Sequence, residues 1–210
     1  ITFKAECLQE TGSFKLRGAS SAISVLSKEE KSRGVVAFSS GNHAQGIAYA
    51  SRELGTSAKI VMPSDAPKIK IWKTQEYGAE VIFYERDEDN REEIGFSIAK
   101  EEGRKLIKPF DDLNVIYGQG TAALEVMDEV DTKFDMSVVC CSGGGLAAGT
   151  GIVLKNSLSD CQLYTAEPKD WNDHEKSFLQ NNIVSIKTKK HGMCDALENP
   201  QPGEITFRIN

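Results

Sequence analysis

The order of apolar segments along the chain constrains the fold more than any other feature. Short runs rich in valine and isoleucine alternate with longer helix-like runs, and this alternation is typical of an α/β fold with a mainly parallel sheet. We predict strands over residues 34–40, 57–63, 79–84 and 162–168, and a strand that enters a glycine turn over residues 136–145. We predict helices over residues 43–55, 66–78, 89–103, 121–130 and 146–157.

Length and composition exclude several classes of protein. The 210 residues suit one large domain or two small ones. No apolar run reaches the roughly 18 residues of a membrane span, and the first residues lack the pattern of a signal peptide. A net charge of −6 argues against nucleic acid or an anionic membrane as partner. Five cysteines without C-x-x-C spacing favour reduced thiols, and we expect a cytoplasmic protein.

A lysine stands among small residues in the stretch TGSFKLRGAS. Lys15 follows the aromatic Phe14 and has glycine and serine on both sides. The ordinary interpretation is a solvated lysine at the start of a surface helix with Ser13 as N-cap. A lysine in such a setting can also serve as the amine that forms a covalent bond with a carbonyl compound.

Two strand-to-helix junctions have the composition of anion sites. In CSGGGLAAG, consecutive glycines let backbone N–H groups approach a phosphate at the positive end of a helix dipole. In SSGNHAQG, hydroxyls, an amide, an imidazole and N–H groups suit a carboxylate, although Ser40 or Asn42 could simply cap the helix. A lysine, a phosphate cradle and a carboxylate cradle are together what an amino-acid enzyme that uses pyridoxal phosphate requires.

In this order, SFKLRGA, SSGNHAQG and SGGGL resemble the threonine/serine dehydratase and serine racemase group of pyridoxal-phosphate enzymes, which have fold type II. The resemblance covers residues 1–210 and includes KPFDD and GQGTAALE. It implies two lobes, each with a mainly parallel twisted sheet flanked by helices. Residues 34–111 would form the small substrate-binding domain, and residues 1–33 and 112–210 the large cofactor domain. Family members usually extend further, so we expect a fold that is incomplete at both ends.

The resemblance also implies the roles of individual residues. Lys15 would form the imine with the cofactor and later act as the catalytic base, with Phe14 beside the ring. Asn42 would bind the phenolic oxygen of the cofactor, and Phe110 would form part of the pocket wall. The cofactor phosphate would be bound by Ser142, Gly143, Gly144, Gly145 and Leu146. The substrate carboxylate would be bound by Ser39, Ser40, Gly41, Asn42 and His43.

A divalent cation site is implied by the resemblance in the stretch AEPKDWNDHEKS. Its ligands would be the carboxylates of Glu167 and Asp173 and the backbone carbonyl of Trp171. Hard oxygen ligands of this kind suit Mg²⁺, Mn²⁺ or Ca²⁺.

The activity that the resemblance implies is an ammonia-lyase reaction. The substrate would be a small hydroxy amino acid, L-threonine or L-serine, which loses its β-hydroxyl to give a 2-oxo acid and ammonia. The hydroxyl of Ser40 leaves serine racemisation open, and hydroxyaspartate is a further substrate. A truncated cofactor-binding or regulatory remnant is the non-enzyme alternative. We expect a homodimer or homotetramer.

Overall fold

The computed structural model describes residues 1–86, 88–131, 133–188 and 190–210. The chain divides into two compact units, Ile1–Pro109 and Phe110–Asn210. The assignment of residues 1–33 to a lobe shared with residues 112–210 stays a prediction. No helix in the described ranges is both long enough and apolar enough to cross a membrane.

The first unit is built on a parallel sheet. Its strands are β1 (Val35–Phe38), β2 (Ala58–Pro63), β3 (Glu80–Tyr84) and β4 (Lys105–Leu106). Its helices are α1 (Lys15–Ser24), α2 (Lys28–Arg33), α3 (Asn42–Glu53), α4 (Lys68–Glu76) and α5 (Arg91–Glu102), and a 3₁₀ turn covers Glu6–Leu8. The strand order is β3-β2-β1-β4, and every pairing is parallel.

The central strands of this sheet are buried, as expected for a parallel sheet with helices on its faces. All four residues of β1 are buried, and Val35 stands opposite Ala58 of β2. Val36, Phe38 and Val61 form a core cluster with the buried Tyr84, against which residues of α5 pack. Helix α5 begins at the Asn90 cap and ends at Gly103, whose φ of 66° lies in the left-handed region.

The second unit combines a two-stranded parallel sheet with helices. Its strands are β5 (Met136–Cys140) and β6 (Gln162–Ala166), with Met136 opposite Gln162. Its helices are α6 (Leu113–Glu129), α7 (Gly145–Ser157), α8 (Asp173–Gln180) and α9 (Glu204–Ile209), and a 3₁₀ turn covers Asp195–Leu197. Helices α6 and α7 pack against each other. These parallel sheets with flanking helices confirm the predicted α/β class.

Two local predictions are wrong. Helix α6 begins at Leu113 rather than at residue 121, because the Asp112 carboxylate caps it by accepting from the N–H groups of Asn114 (2.8 Å) and Val115 (3.3 Å). Helix α1 is not a surface helix, because its residues Gly18, Ala19, Ala22 and Ile23 are buried and it packs against α3. Its N-cap is Phe14 rather than Ser13, although Ser13 Oγ accepts from the N–H of Lys15 over 3.4 Å.

Candidate active site

Lys15 is the first residue of α1 and is half-buried. Its Nζ donates a hydrogen bond to the backbone carbonyl of Pro109 over 2.6 Å. The same atom lies 5.4 Å from the centre of the Phe14 ring, which is within the range of a cation–π contact. The amine is therefore held in place by a carbonyl and an aromatic face.

The backbone of Lys15 is positioned by a close approach to α3. A Cβ atom on Gly46 would lie 3.1 Å from both the carbonyl carbon and the carbonyl oxygen of Lys15, which is tighter than ordinary packing. Arg17 anchors the same helix by a bidentate ion pair with Glu6, at 2.7 and 2.8 Å. Gly46, the last residue of SSGNHAQG, thus allows α1 to place the lysine. Sequence reasoning did not assign this role, although a glycine inside a helix is a signal of close packing.

The predicted carboxylate site forms the junction between β1 and α3. Ser39 Oγ accepts from the N–H of Gly41 over 3.2 Å, which closes the turn. Gly41 is the N-cap of α3 and Asn42 its first residue, so the alternative that Ser40 or Asn42 caps the helix is wrong. Because glycine has no capping side chain, the first-turn N–H groups of α3 remain available to an anion. Ser40 and Asn42 are half-buried in this junction.

The imidazole of His43 is part of the core. It is 2% exposed, and Nε2 lies 3.1 Å from the carbonyl oxygen of Ile107. Burial, and to a lesser extent the charge of Lys15, lowers the pKa of His43 to about 3. The ring is therefore neutral near pH 7, and its bond to a carbonyl requires the proton on Nε2. A contact of residue 43 with a carboxylate would accordingly come from its backbone N–H.

The predicted phosphate site forms the junction between β5 and α7. Gly144 is the N-cap of α7 and has a φ of 92°, a conformation that favours glycine. A Cβ on Gly143 would overlap the ring of Phe110, which therefore packs directly on the turn. Ser142 and Leu146 border the buried glycines and are half-buried. As in α3, a glycine N-cap leaves the first-turn N–H groups available to an anion.

Thr206 of α9 and the C-cap residue Asn210, which sequence reasoning did not single out, support this turn. Thr206 Oγ1 donates to the carbonyl of Gly143, and Asn210 Nδ2 donates to the carbonyl of Gly144. The two aspartates of KPFDD cap helices, since Asp111 accepts from the N–H groups of α9 and Asp112 from those of α6. A pair of consecutive aspartates before an apolar run was a usable signal for the second cap.

The predicted cation ligands follow β6. Asp173 is fully buried, and neither carboxylate oxygen has a hydrogen-bond partner among the described residues. Glu167 accepts from the N–H groups of His174 and Glu175, both at 2.9 Å. Burial, followed by repulsion from Glu167, raises the pKa of Asp173 to about 7. Trp171 lies between Glu167 and Asp173 in the sequence and is half-buried. The role of its carbonyl as a cation ligand stays a prediction.

The comparisons with known proteins agree on one class. The family of pyridoxal-phosphate dependent enzymes matches residues 1–210. The chain is 44% identical over 209 residues to L-threo-3-hydroxyaspartate ammonia-lyase of Saccharomyces cerevisiae and 42% identical over 209 residues to serine racemase of Schizosaccharomyces pombe. Each alignment covers 100% of this chain and 64% of the relative. The processed form of threonine deaminase isoform 2 from Solanum lycopersicum superposes with a TM-score of 0.92 at 34% identity, over 98% of this chain and 59% of that one.

The chain therefore belongs to the pyridoxal-phosphate dependent enzymes, and its fold is that of fold type II. The family that the three motifs resemble is confirmed. Its similar relatives include an ammonia-lyase and a racemase. The chain spans 64% of the length of these relatives.

The residues present fit the cofactor that the family name implies. Lys15 supplies a fixed primary amine, and the turn at Gly144 supplies uncapped N–H groups at the start of a helix of 13 residues. A phosphate there would gain both hydrogen bonds and the favourable potential of the helix dipole.

Proposed function

We propose that this protein is a pyridoxal-phosphate-dependent ammonia-lyase of β-hydroxy L-amino acids. Support comes from the fixed amine of Lys15 together with two glycine-capped helix N-termini, those of α3 and α7, whose N–H groups suit a carboxylate and a phosphate. Relatives named for hydroxyaspartate and threonine reactions support the same substrate class.

The residues that would hold the cofactor are those that the motifs indicate. Lys15 would attach to its aldehyde, Phe14 would pack beside the ring, and Asn42 would donate to the phenolic oxygen. The phosphate would be bound by Ser142, Gly143, Gly144, Gly145 and Leu146. When bound, pyridoxal phosphate supplies an electron sink for the electron pair left at the substrate Cα.

The protein's own residues then hold the substrate and move its protons. Ser39, Ser40 and the N–H groups of Asn42 and His43 would bind the α-carboxylate, and Gly41, whose N–H donates to Ser39 Oγ, would shape the turn around it. Neutral Nζ of Lys15 would accept the Cα proton, the Cβ–O bond would break, and the hydroxyl would leave with a proton as water. A second water would hydrolyse the released unsaturated amine to the 2-oxo acid and ammonia, so that no net water is consumed.

A cation beside the carboxylate site favours an acidic substrate. Lys70 Nζ lies 3.5 Å from the position that a Cβ on Gly41 would occupy. Its positive charge would strengthen the binding of a second carboxylate on the substrate. Within the hydroxy amino acids, this observation favours 3-hydroxyaspartate over threonine.

The test is release of 2-oxo acid by the full chain supplied with pyridoxal phosphate. We expect turnover of L-threo-3-hydroxyaspartate, L-serine and L-threonine, with kcat/KM about tenfold higher for hydroxyaspartate, the size of one favourable charge contact. Lys70→Met should remove that preference without abolishing turnover of L-serine. Cofactor binding without release of 2-oxo acid from any of the three would contradict the proposal and support the regulatory remnant.

Serine racemisation is the second candidate. A relative named as a serine racemase and the half-buried hydroxyl of Ser40 in the carboxylate site favour it. Racemisation requires a group that accepts the Cα proton on one face and a group that donates a proton on the other face, and Lys15 and Ser40 would be that pair. The cytoplasmic location and the homo-oligomeric state stay predictions.

We further propose that Glu167, Trp171 and Asp173 bind a divalent cation, Mg²⁺, Mn²⁺ or Ca²⁺. Support comes from the buried carboxylate oxygens of Asp173, which have no hydrogen-bond partner among the described residues. A cation would compensate the burial of this carboxylate and its repulsion from Glu167. Its contribution would be to stability of the second unit.

The cation site is tested by thermal unfolding of Asp173→Asn. With Mg²⁺ at about 100 times its dissociation constant, the wild-type melting temperature should rise by about 5–10 °C, and that of the variant should not. After chelation the variant should be at least as stable as the wild type, because one of two repelling carboxylates has been removed. Asp170→Asn changes an exposed neighbour that pairs with Lys190 and serves as the control. An equal Mg²⁺ response in all three proteins would contradict the site.

A further inference from the structure

The carbonyl groups of the glycine turn are held by the last helix. Thr206 Oγ1 donates to the Gly143 oxygen over 2.6 Å, and the N–H of Gly203 donates to the same oxygen over 3.3 Å. Asn210 Nδ2 donates to the Gly144 oxygen over 3.2 Å. The peptide group between Gly143 and Gly144 is therefore oriented by Gly203 and Thr206. The Gly144 oxygen also accepts from the N–H of Ala148 over 2.8 Å, so α7 itself helps to orient the next peptide group.

The orientation of these carbonyls determines where the N–H groups of the turn point. A trans peptide group is planar, and its N–H is directed opposite to its C=O. Because the Gly143 oxygen faces Thr206, the N–H of Gly144 is directed away from α9. By the same argument, the N–H of Gly145 is directed away from Asn210. These are two of the N–H groups that the proposed function assigns to phosphate.

Thr206 has little freedom to move. It is fully buried, and Asp111 Oδ1 accepts from its backbone N–H over 3.3 Å and from that of Ile205 over 2.8 Å. A Cβ on Gly144 would lie 2.9 Å from Thr206 Cβ, so the side chain packs directly on the turn. The carboxylate of Asp111 thus fixes the helix end from which the hydroxyl of Thr206 reaches Gly143.

We propose that Thr206 is a positioning residue for the phosphate of the cofactor. Its hydroxyl does not contact the phosphate but holds the peptide between Gly143 and Gly144 in the orientation in which the N–H donates to it. The inference rests on the proposed function, because it takes pyridoxal phosphate as the ligand of this turn. The next peptide group is oriented mainly by the N–H of Ala148, with a longer hydrogen bond from Asn210 as added support.

The test compares two ligands that differ in the phosphate group. Thr206→Val removes the hydroxyl at nearly constant volume, and we expect the Kd of pyridoxal phosphate to rise about tenfold, the effect of one buried hydrogen bond. The Kd of pyridoxal should change less than about twofold, because it has no phosphate to lose a contact. Thr206→Ser should restore tight binding of pyridoxal phosphate. Thr74→Val removes another fully buried hydroxyl, which donates to the Lys70 carbonyl over 2.8 Å, and should change neither constant.

The outcomes separate this inference from the proposed function. If Thr206→Val changes the Kd of pyridoxal phosphate and the Kd of pyridoxal by the same factor, or changes neither, the proposed role of Thr206 is overturned. A wild-type chain that binds pyridoxal phosphate no more tightly than pyridoxal would overturn the proposed function and this inference with it. If Thr206→Val does not fold, Thr206→Ala removes the hydroxyl without adding a second methyl group beside Gly144 and should raise the Kd of pyridoxal phosphate about tenfold, with the Kd of pyridoxal unchanged. If the ratio of the Kd of pyridoxal phosphate to the Kd of pyridoxal is the same in that variant as in the wild type, the inference is also overturned.

Discussion

Replacement of Lys15 by alanine is expected to abolish ammonia release, with a loss of at least about 10³-fold in turnover. The variant loses both the amine that would attach to the cofactor and the base that would accept the Cα proton. The hydrogen bond from Nζ to Pro109 is lost as well, at a cost of about 1 kcal/mol in stability. The measurement is ammonia and 2-oxo acid formation from each hydroxy amino acid, with thermal unfolding as the check on folding.

Covalent trapping gives the same prediction a readout that does not depend on turnover. Borohydride reduction of the loaded wild type, followed by digestion, should place a pyridoxyl label on the peptide that contains Lys15. The Lys15→Ala variant should carry no label, and Lys68→Ala, which changes an exposed lysine of α4, should carry the normal one. A label on another peptide, or normal turnover by Lys15→Ala, would contradict the assignment.

The strand pattern of this fold could be predicted from sequence because it depends on local composition. Residues 34–40, 57–63 and 79–84 contain β1, β2 and β3 within a few positions, and their apolar runs are buried as a parallel sheet requires. The start of α6 was missed because the residues before 121 include two glycines, and the capping role of Asp112 was not recognised. Short elements such as β4, with two residues, depend on pairing with a distant strand and have no local signal.

The motifs of the candidate site could be predicted from the sequence, but the distant residues that hold those motifs in place could not. The turn at residues 142–146 was recognisable from its glycines, whereas Thr206 contacts it across 63 positions in sequence. Nothing near Thr206 in the chain indicates that contact, since it arises from packing of α9 on the turn. His43 shows what the sequence could not indicate about its ring. Its neighbours indicated a carboxylate site, but its ring is buried and bonded to Ile107, so that the backbone remains as the donor.

Ser40→Ala should separate racemisation from elimination. If Ser40 Oγ exchanges the proton on the face of Cα opposite to Lys15, its loss should lower formation of D-serine from L-serine about 10²-fold or more, the usual contribution of an acid–base group. Elimination uses the proton transfer to Lys15 and should fall no more than about threefold, the effect of one lost hydroxyl contact with the carboxylate. Both rates are measured on one sample, as D-serine and pyruvate.

Ser39→Ala is the matched control, because the two serines are adjacent and half-buried but differ in their contacts. Ser39 Oγ accepts from the N–H of Gly41, so its removal loosens the turn that would bind the carboxylate in both reactions. We therefore expect Ser39→Ala to lower D-serine and pyruvate formation by the same factor, and Ser40→Ala to change their ratio. If Ser40→Ala lowers the rates of D-serine and pyruvate formation by the same factor, its hydroxyl binds the substrate rather than transferring a proton. Racemisation would then need an acid from another part of the protein.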